Sequence, residues 1–161
     1  LKGEKVESEF ETSIDLNVNA YIPEFYISNE EQKLEIYKKI SQITNMDEYF
    51  DVQEEIEDRY GNMPKSVNML LEVVLLKAQA HRLGIISVAQ KAKSVIVTFK
   101  GDADIDPVLL TNIISQNKNR YLFTAAPNPY VTIKLTDKNM SEAFDFVKEL
   151  LDKLSPNNSD L

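Results

Sequence analysis

The carboxylates between residues 47 and 58 form the densest group of chemically capable side chains in this sequence. They recur at spacings of three and four residues, as Asp47, Asp51, Glu54, Glu55 and Asp58. Because residues three and four apart are neighbours on a helix, this spacing predicts one acidic helix side. Asp51, Glu55 and Asp58 would share a face that points away from the apolar residues of the same segment.

Two interpretations of this acidic side stay open on spacing alone. Like charges at this spacing destabilise a helix by a few tenths of a kcal/mol per pair, and only Arg59 lies nearby to offset them. The side is either a solvated surface or a docking surface, where a partner's Arg or Lys would form charge-assisted contacts. A metal site is not favoured, because the carboxylates lack the spacing of a calcium loop.

A second group of charged residues is basic and lies between Glu72 and Asp102, where no acidic residue occurs. Its members are Lys77, Arg82, Lys91, Lys93 and Lys100, with the single histidine His81. They could contact phosphates, but they are spread over a helix end and a hairpin without an aromatic platform. A nucleic-acid-contacting accessory domain using residues 77–100 is therefore the alternative function, and direct nucleic-acid binding is not favoured.

The rest of the composition excludes several kinds of reactive site. With no Cys and one His, the chain cannot form disulfides, thiolate zinc sites, cysteine nucleophiles or multi-histidine metal sites. Its four glycines form no phosphate-cradling cluster. We therefore predict a noncatalytic domain with no catalytic residues, no cofactor and no metal. No apolar run approaches the ~18 residues of a membrane span, so no membrane partner is expected.

The net charge of −8 is unevenly divided along the chain. Residues 1–60 contain 16 Asp and Glu against 6 Lys and Arg, whereas residues 61–161 contain 10 against 12. Affinity for nucleic acid rests mainly on neutralising phosphates, which an acidic half opposes. An acidic face instead favours a basic protein partner.

Capping signals place the acidic side on the second of three helices. Ser28 with Glu31 has the spacing of a capping box and predicts the start of the first helix there. Asn45 with Glu48 predicts the start of the second helix, which Gly61 ends. Pro64 fits the first position of a third helix that runs to residue 83. Before these helices, the alternation of residues 13–20 predicts a short strand.

After residue 84 the pattern changes to the order ββαββα. Strands are predicted over 85–88, 94–99, 120–125 and 130–135, with one helix opened by Asp106 and a last one capped by Asn139 with Glu142. This order predicts a four-stranded antiparallel sheet with two helices on one face. The fold class is α+β. The chain divides into a linker over 1–12, a domain over 13–154 (mainly helical to 84, ββαββα from 85) and a disordered tail over 155–161.

Several segments in preserved order resemble the C-terminal domain of the bacterial transcription-repair coupling factor. They are Ile14-Asp15-Leu16, AYIPEFYI, EEQKLEIYKK, EIEDRYG-xx-P and HRLGI. The resemblance covers about 14–154 and is strongest over 20–86. The first tract, LKGEKVESEFET, resembles the tail that joins this domain to the upstream motor of the factor.

This resemblance implies a regulatory role that composition alone does not indicate. In the family, the C-terminal domain packs against the repair-ATPase-binding module of its own chain, masks it and restrains a DNA-translocating ATPase. The factor works with RNA polymerase and with the damage-recognition ATPase of nucleotide excision repair, in the bacterial cytoplasm. The family's carboxylates before the DR[FY]G turn contact basic residues of the module. Carried onto this sequence they are Glu55 and Asp58, with Asp51 and Glu54 as neighbours.

Overall fold

The structure, a computed structural model, describes residues 9–156. Ten helices and strands follow in chain order, with a short 3-10 turn at Met140–Glu142 before the last helix. Their bounds are β1 Ser13–Asp15, α1 Glu30–Ser41, α2 Met46–Tyr60, α3 Lys65–Arg82, β2 Ile85–Lys91, β3 Ser94–Phe99, α4 Pro107–Gln116, β4 Tyr121–Thr124, β5 Tyr130–Lys134 and α5 Ala143–Leu154.

The first three helices enclose a core of their own. Its buried residues are Ile22, Ile27, Ile36, Ile40, Ile43, Ile56, Val67 and Leu71. Tyrosine hydroxyls fix the chain before α1 onto this core: the Tyr37 hydroxyl accepts from the Ile22 backbone N–H at 2.8 Å. The Tyr26 hydroxyl donates to the Gly61 carbonyl at 2.5 Å. The segment before α1 is therefore held against both ends of the helical layer.

The start of α2 confirms its predicted cap, whereas the predicted cap of α1 is wrong. The Asn45 side-chain oxygen accepts from the Glu48 N–H at 2.9 Å, and the Glu48 carboxylate accepts from the Thr44 N–H at 2.8 Å. That backbone hydrogen bond lowers the pKa of Glu48. In α1 the cap is Asn29 rather than Ser28. The Asn29 side-chain oxygen accepts a hydrogen bond from the Gln32 backbone N–H at 2.9 Å. The amide of Asn29 therefore replaces the expected serine hydroxyl as the cap.

All five strands form one sheet in the order β1-β2-β3-β5-β4. The prediction of four antiparallel strands is therefore wrong by one strand. The N-terminal strand β1 joins the sheet edge and pairs parallel with β2, with Ile14 opposite Val88. The other three pairings are antiparallel, as predicted.

One face of the sheet carries a second core, beneath the helices. Alternate residues of β3, such as Val95 and Val97, are fully buried, as expected for a strand with one covered face. The same cluster contains Ile113 of α4 and Val147 and Leu150 of α5. Both helices of the ββαββα part therefore cover one face, as predicted.

The long helix α3 belongs to both cores. Val67 and Leu71 in its first half lie in the helical core, whereas Leu76 and Ala80 in its second half lie in the sheet core. A helix of this length spans about 27 Å, enough to reach both layers. The two parts of the chain therefore share one rigid element.

The cap predicted for the last helix is also wrong. The 3-10 turn intervenes, and α5 begins at Ala143 without a side-chain cap. The Asn139 side-chain oxygen instead accepts from the Thr136 N–H at 2.7 Å and closes the preceding loop. The amphipathic face of α5 is what positions this helix, since seven of its twelve residues are buried.

The segment at residues 9–12, predicted as the end of a linker, lies against the domain. Thr12 is buried, and its hydroxyl donates to the Ile85 carbonyl at 2.6 Å. Phe10 stacks on the ring of His81, with centroids 4.3 Å apart. Residues 1–8 of the predicted linker and 157–161 of the predicted tail lie outside the described residues. Of the tail, Ser155 is described, and its hydroxyl donates to the Leu151 carbonyl at 2.8 Å.

Candidate docking surface

Helix α2 presents its acidic side to solvent because its opposite side is anchored in the helical core. Ile56 is fully buried there, and the Tyr49 hydroxyl donates to the Asn68 side-chain oxygen of α3 at 3.1 Å. These anchors fix the rotation of the helix about its axis. The carboxylates on the far side are consequently displayed in a defined direction.

Three of the four candidate docking residues share the open face of α2. Asp51, Glu54 and Asp58 are exposed and line a shallow depression of about 330 Å³, together with Phe50, Gln53 and Glu57. Within residues 9–156, these three carboxylates form no ion pair with any Lys, Arg or His. We call Asp51, Glu54 and Asp58 the acidic face.

Glu55 lies apart from this face, on the flank of α2 that meets α1. Its carboxylate forms a hydrogen-bonded ion pair with Lys39 and lies 3.6 Å from the Arg59 guanidinium. The hydrogen bond from Lys39 is the main cause that lowers the pKa of Glu55. Arg59 also pairs with Glu35 of α1 at 3.2 Å. Sequence spacing identified Arg59 as a partner but missed Lys39, which lies 16 residues away.

Apolar side chains next to the acidic face were missed by the sequence analysis. Met46 and Phe50 are one helical turn apart on α2, and 48% and 55% of their surfaces are exposed. Both line a groove of about 490 Å³ with Tyr49, Leu75 of α3 and Phe144 of α5. The signal was present in the sequence, because two apolar residues four apart lay outside the inward stripe of the helix.

The basic residues predicted as a possible patch do not gather in one place. Lys77 and Arg82 lie on α3, where the Arg82 guanidinium donates to the Thr44 carbonyl at 2.7 Å. Lys91 and Lys93 lie at the turn between β2 and β3, and Lys93 pairs with Asp137 at 3.2 Å. Arg82 lies just before β2 and Lys91 is the last residue of that strand, so its seven residues separate these two cations by about 20 Å. This separation weakens the case for a continuous phosphate-binding surface.

A cleft of about 880 Å³ beside α3 gathers mixed charges rather than a catalytic constellation. It is lined by Glu9, Phe10, Glu11, Thr12, Ser41, Ile43, Thr44, Val74, Lys77, Ala78, His81 and Arg82. His81 is engaged there by Phe10 and by Thr12, whose hydroxyl lies 3.2 Å from its Nδ1.

Among residues 9–156, no three His, Asp or Glu side chains come together as a metal site would require. No helix in the same stretch has the length and apolarity to span a membrane.

Comparison with known proteins agrees with this architecture. The TRCF domain family model matches residues 16–110. The transcription-repair-coupling factor of Staphylococcus aureus (strain USA300) is 35% identical over 136 residues, which are 83% of this chain and 12% of that protein. That of Staphylococcus haemolyticus is 37% identical over 93 residues, 58% of this chain and 8% of that protein. A crystal structure of the C-terminal domain of a transcription-repair coupling factor superposes with a TM-score of 0.68 and 25% identity, covering 93% of this chain and 97% of that chain.

The fold is thus that of an α+β domain found at the C-terminus of transcription-repair coupling factors. This chain belongs to the TRCF domain family. It spans 12% of the length of its Staphylococcus aureus relative, and the acidic face lies inside the matched residues 16–110.

Proposed function

We propose that this chain is a noncatalytic regulatory domain that docks on the repair-ATPase-binding module of its own parent chain. Docking masks the module and restrains the parent's DNA-translocating ATPase. The observation that carries the proposal is the acidic face, with Asp51, Glu54 and Asp58 exposed and without ion pairs to described residues. Carboxylates displayed this way on a rigid helix can form charge-assisted hydrogen bonds with a partner that supplies Arg or Lys.

The energetics suit a clamp that must open again. Exposed ion pairs contribute about 0–1 kcal/mol each, and more when partly desolvated at an interface. Attachment in one chain raises the effective concentration, so weak intrinsic contacts suffice to keep the clamp closed. A competing partner can then release it with a few kcal/mol of differential binding. Release exposes the module to the damage-recognition ATPase once the factor engages RNA polymerase in the cytoplasm.

Glu55 differs from the acidic face in having ion-pair partners within the domain. Since Glu55 already pairs with Lys39 and Arg59, replacing it by Lys would place three cations together at the contact of α1 with α2. Loss of docking in such a variant would mix a lost contact with a disturbed helix pair. The cleaner variant reverses Asp51 and Asp58, which leave the α1 contact untouched.

Calorimetric titration of the domain with the parent's basic module tests the proposal. Asp51→Lys combined with Asp58→Lys should weaken binding by at least tenfold, because two charges change sign at the interface and the net charge changes by four units. Asp15→Lys with Asp104→Lys is the matched control, since it changes the net charge equally at exposed positions outside α2. An equal loss from both double variants would show general charge attraction instead of docking at α2.

A further inference from the structure

The groove beside the acidic face is built from both parts of the domain. Met46, Tyr49 and Phe50 come from α2, Leu75 comes from α3, and Phe144 comes from α5. Its volume of about 490 Å³ can hold several apolar side chains. Single exposed apolar residues are normal on proteins, but here two of them flank a concave surface lined by further apolar residues.

Phe50 is the wall common to this groove and to the acidic depression. It lines the groove of about 490 Å³ and also the depression of about 330 Å³ that holds Asp51, Glu54 and Asp58. Glu54 follows Phe50 by four residues and therefore lies one helical turn along the same side. A groove with an apolar wall and a depression with three carboxylates thus share one boundary.

The charges around the groove differ from those of the acidic face in having partners. Lys148 lies 3.5 Å from Asp152, the Glu72 carboxylate accepts from the Asn68 amide at 2.8 Å, and Arg82 donates to the Thr44 carbonyl. Cations of a partner would therefore form the most favourable ion pairs on the side of Phe50 that carries Asp51, Glu54 and Asp58. This difference between the two sides would fix the orientation of a docked partner.

We propose that the partner is an amphipathic helix that inserts an aliphatic or aromatic side chain into the groove against Phe50. Lys or Arg residues about one helical turn from that anchor pair with Asp51, Glu54 and Asp58. A central apolar anchor with charged neighbours is the usual arrangement of an interface hot spot. The inference rests on the proposed function and specifies the chemistry of the surface that the module presents.

In this arrangement the acidic face and the groove contribute differently to binding. The carboxylates set the salt dependence and the association rate, since exposed charges act over a Debye length of roughly 8–10 Å. The groove sets the dissociation rate, because burying an aromatic ring removes apolar area from water independently of salt. The two contributions are separable by mutation.

The test is a titration of the folded domain with the parent's basic module at two salt concentrations. Phe50→Ala should weaken binding by about tenfold or more without changing the salt slope, whereas Asp58→Asn should reduce the slope. Leu34→Ala, on the exposed side of α1 with 69% exposure, is the matched control and should leave binding within about twofold. Because Ala is the best helix former, Phe50→Ala should keep α2 intact.

The variant Phe50→Leu is the control for misfolding. It keeps an apolar side chain at the groove and should therefore retain most of the affinity of the wild type. Normal affinity of Phe50→Ala, together with loss in the Asp51 and Asp58 double reversal, would overturn the groove and leave the clamp standing. Absence of binding by the wild-type domain would overturn the proposed clamp and the groove with it. The isolated domain suits this experiment, because both cores form among residues 9–156 and a related C-terminal domain crystallised by itself.

Discussion

The helical part and the sheet part of this domain are each built around a core, yet their surfaces differ. Five of the nine described ion pairs lie in the sheet part, where Lys93, Lys100, Arg120, Lys148 and Lys153 pair with nearby carboxylates. In the helical part, the cations are used along α1 and at its contact with α2. No Lys or Arg among the described residues pairs with the acidic face. The two parts thus differ in the charge balance of their surfaces, although each has its own core.

The largest change in stability should come from truncating a buried residue in the core of either part. Leu71→Ala opens the helical core and Leu150→Ala opens the sheet core, at positions that are both fully buried. Each should lower the free energy of unfolding by about 2–5 kcal/mol. Because α3 runs through both cores, urea unfolding should remain one transition in both variants.

Two spectroscopic signals check that prediction. Tyrosine fluorescence reports mainly on the helical part, since five of the seven tyrosines precede residue 61, and far-UV circular dichroism reports on the whole domain. Coincident transitions would show one cooperative unit. Separate midpoints in either variant would break the domain into two independent parts.

The next effect compares the glycines that end α2 and α3. Both have positive φ, +86° at Gly61 and +77° at Gly84, where an added Cβ is strained. A Cβ on Gly61 would meet no atom within 4 Å, whereas one on Gly84 would come to 2.8 Å from the Ala103 Cβ. The ψ of −171° at Gly61 puts it in a region essentially restricted to glycine, so we expect Gly61→Ala to cost about 1–3 kcal/mol. Gly84→Ala should cost about 1–3 kcal/mol more, because the sheet part must shift.

Thermal unfolding of the two alanine variants measures this difference. Equal melting temperatures would mean that the loop carrying Ala103 yields freely. The joint between α3 and β2 would then be softer than its contacts indicate.

The smallest effect concerns the ion pair that holds α1 to α2. Because hydrogen bonding to Lys39 lowers the pKa of Glu55 in the folded state, its stabilisation is present above the unfolded pKa and is lost as the pH falls through the folded one. Glu55→Gln should therefore be less stable than wild type at pH 7, by less than about 1 kcal/mol for this partly exposed pair. The difference should shrink as the pH falls from about 5 toward 3.

Urea titrations of both proteins at several pH values measure that difference. Asp58→Gln is the control, since Asp58 forms no ion pair with the described residues and should show no comparable loss at pH 7. A difference for Glu55→Gln that persists at pH 3 would contradict an electrostatic origin.

Features set by neighbouring residues were predictable from the sequence, and features set by distant ones were not. The cap at Asn45 and the stop at Gly61 depend on a few adjacent positions, so their types were sufficient. At α1, Ser28 and Asn29 are adjacent and both suited to capping, and composition did not distinguish them. The parallel pairing of β1 with β2 had no local signal, because a strand pattern does not name its partner.

The candidate surface shows the same division. Spacing placed the carboxylates on one side of α2, but it did not separate Glu55 from the acidic face. That separation depends on Lys39, which reaches Glu55 only after α1 packs against α2. The groove beside Phe50 depends on three helices meeting, and Phe144 lies far from Phe50 in sequence. Of the groove residues, only the pair Met46 and Phe50 could have been recognised from the sequence, by their spacing outside the inward stripe of α2.

During synthesis of the chain, β1 cannot pair with β2 until the residues between them have been made. Thr12 and Ile85, which are joined by a hydrogen bond beside this pairing, are 73 positions apart. A ribosome adds about 5–20 residues per second, so β1 is made roughly 4–15 s before its partner strand. During that interval all residues of the three helices are added to the chain. The first strand therefore stays without its sheet partner until every residue of the helical core has been made.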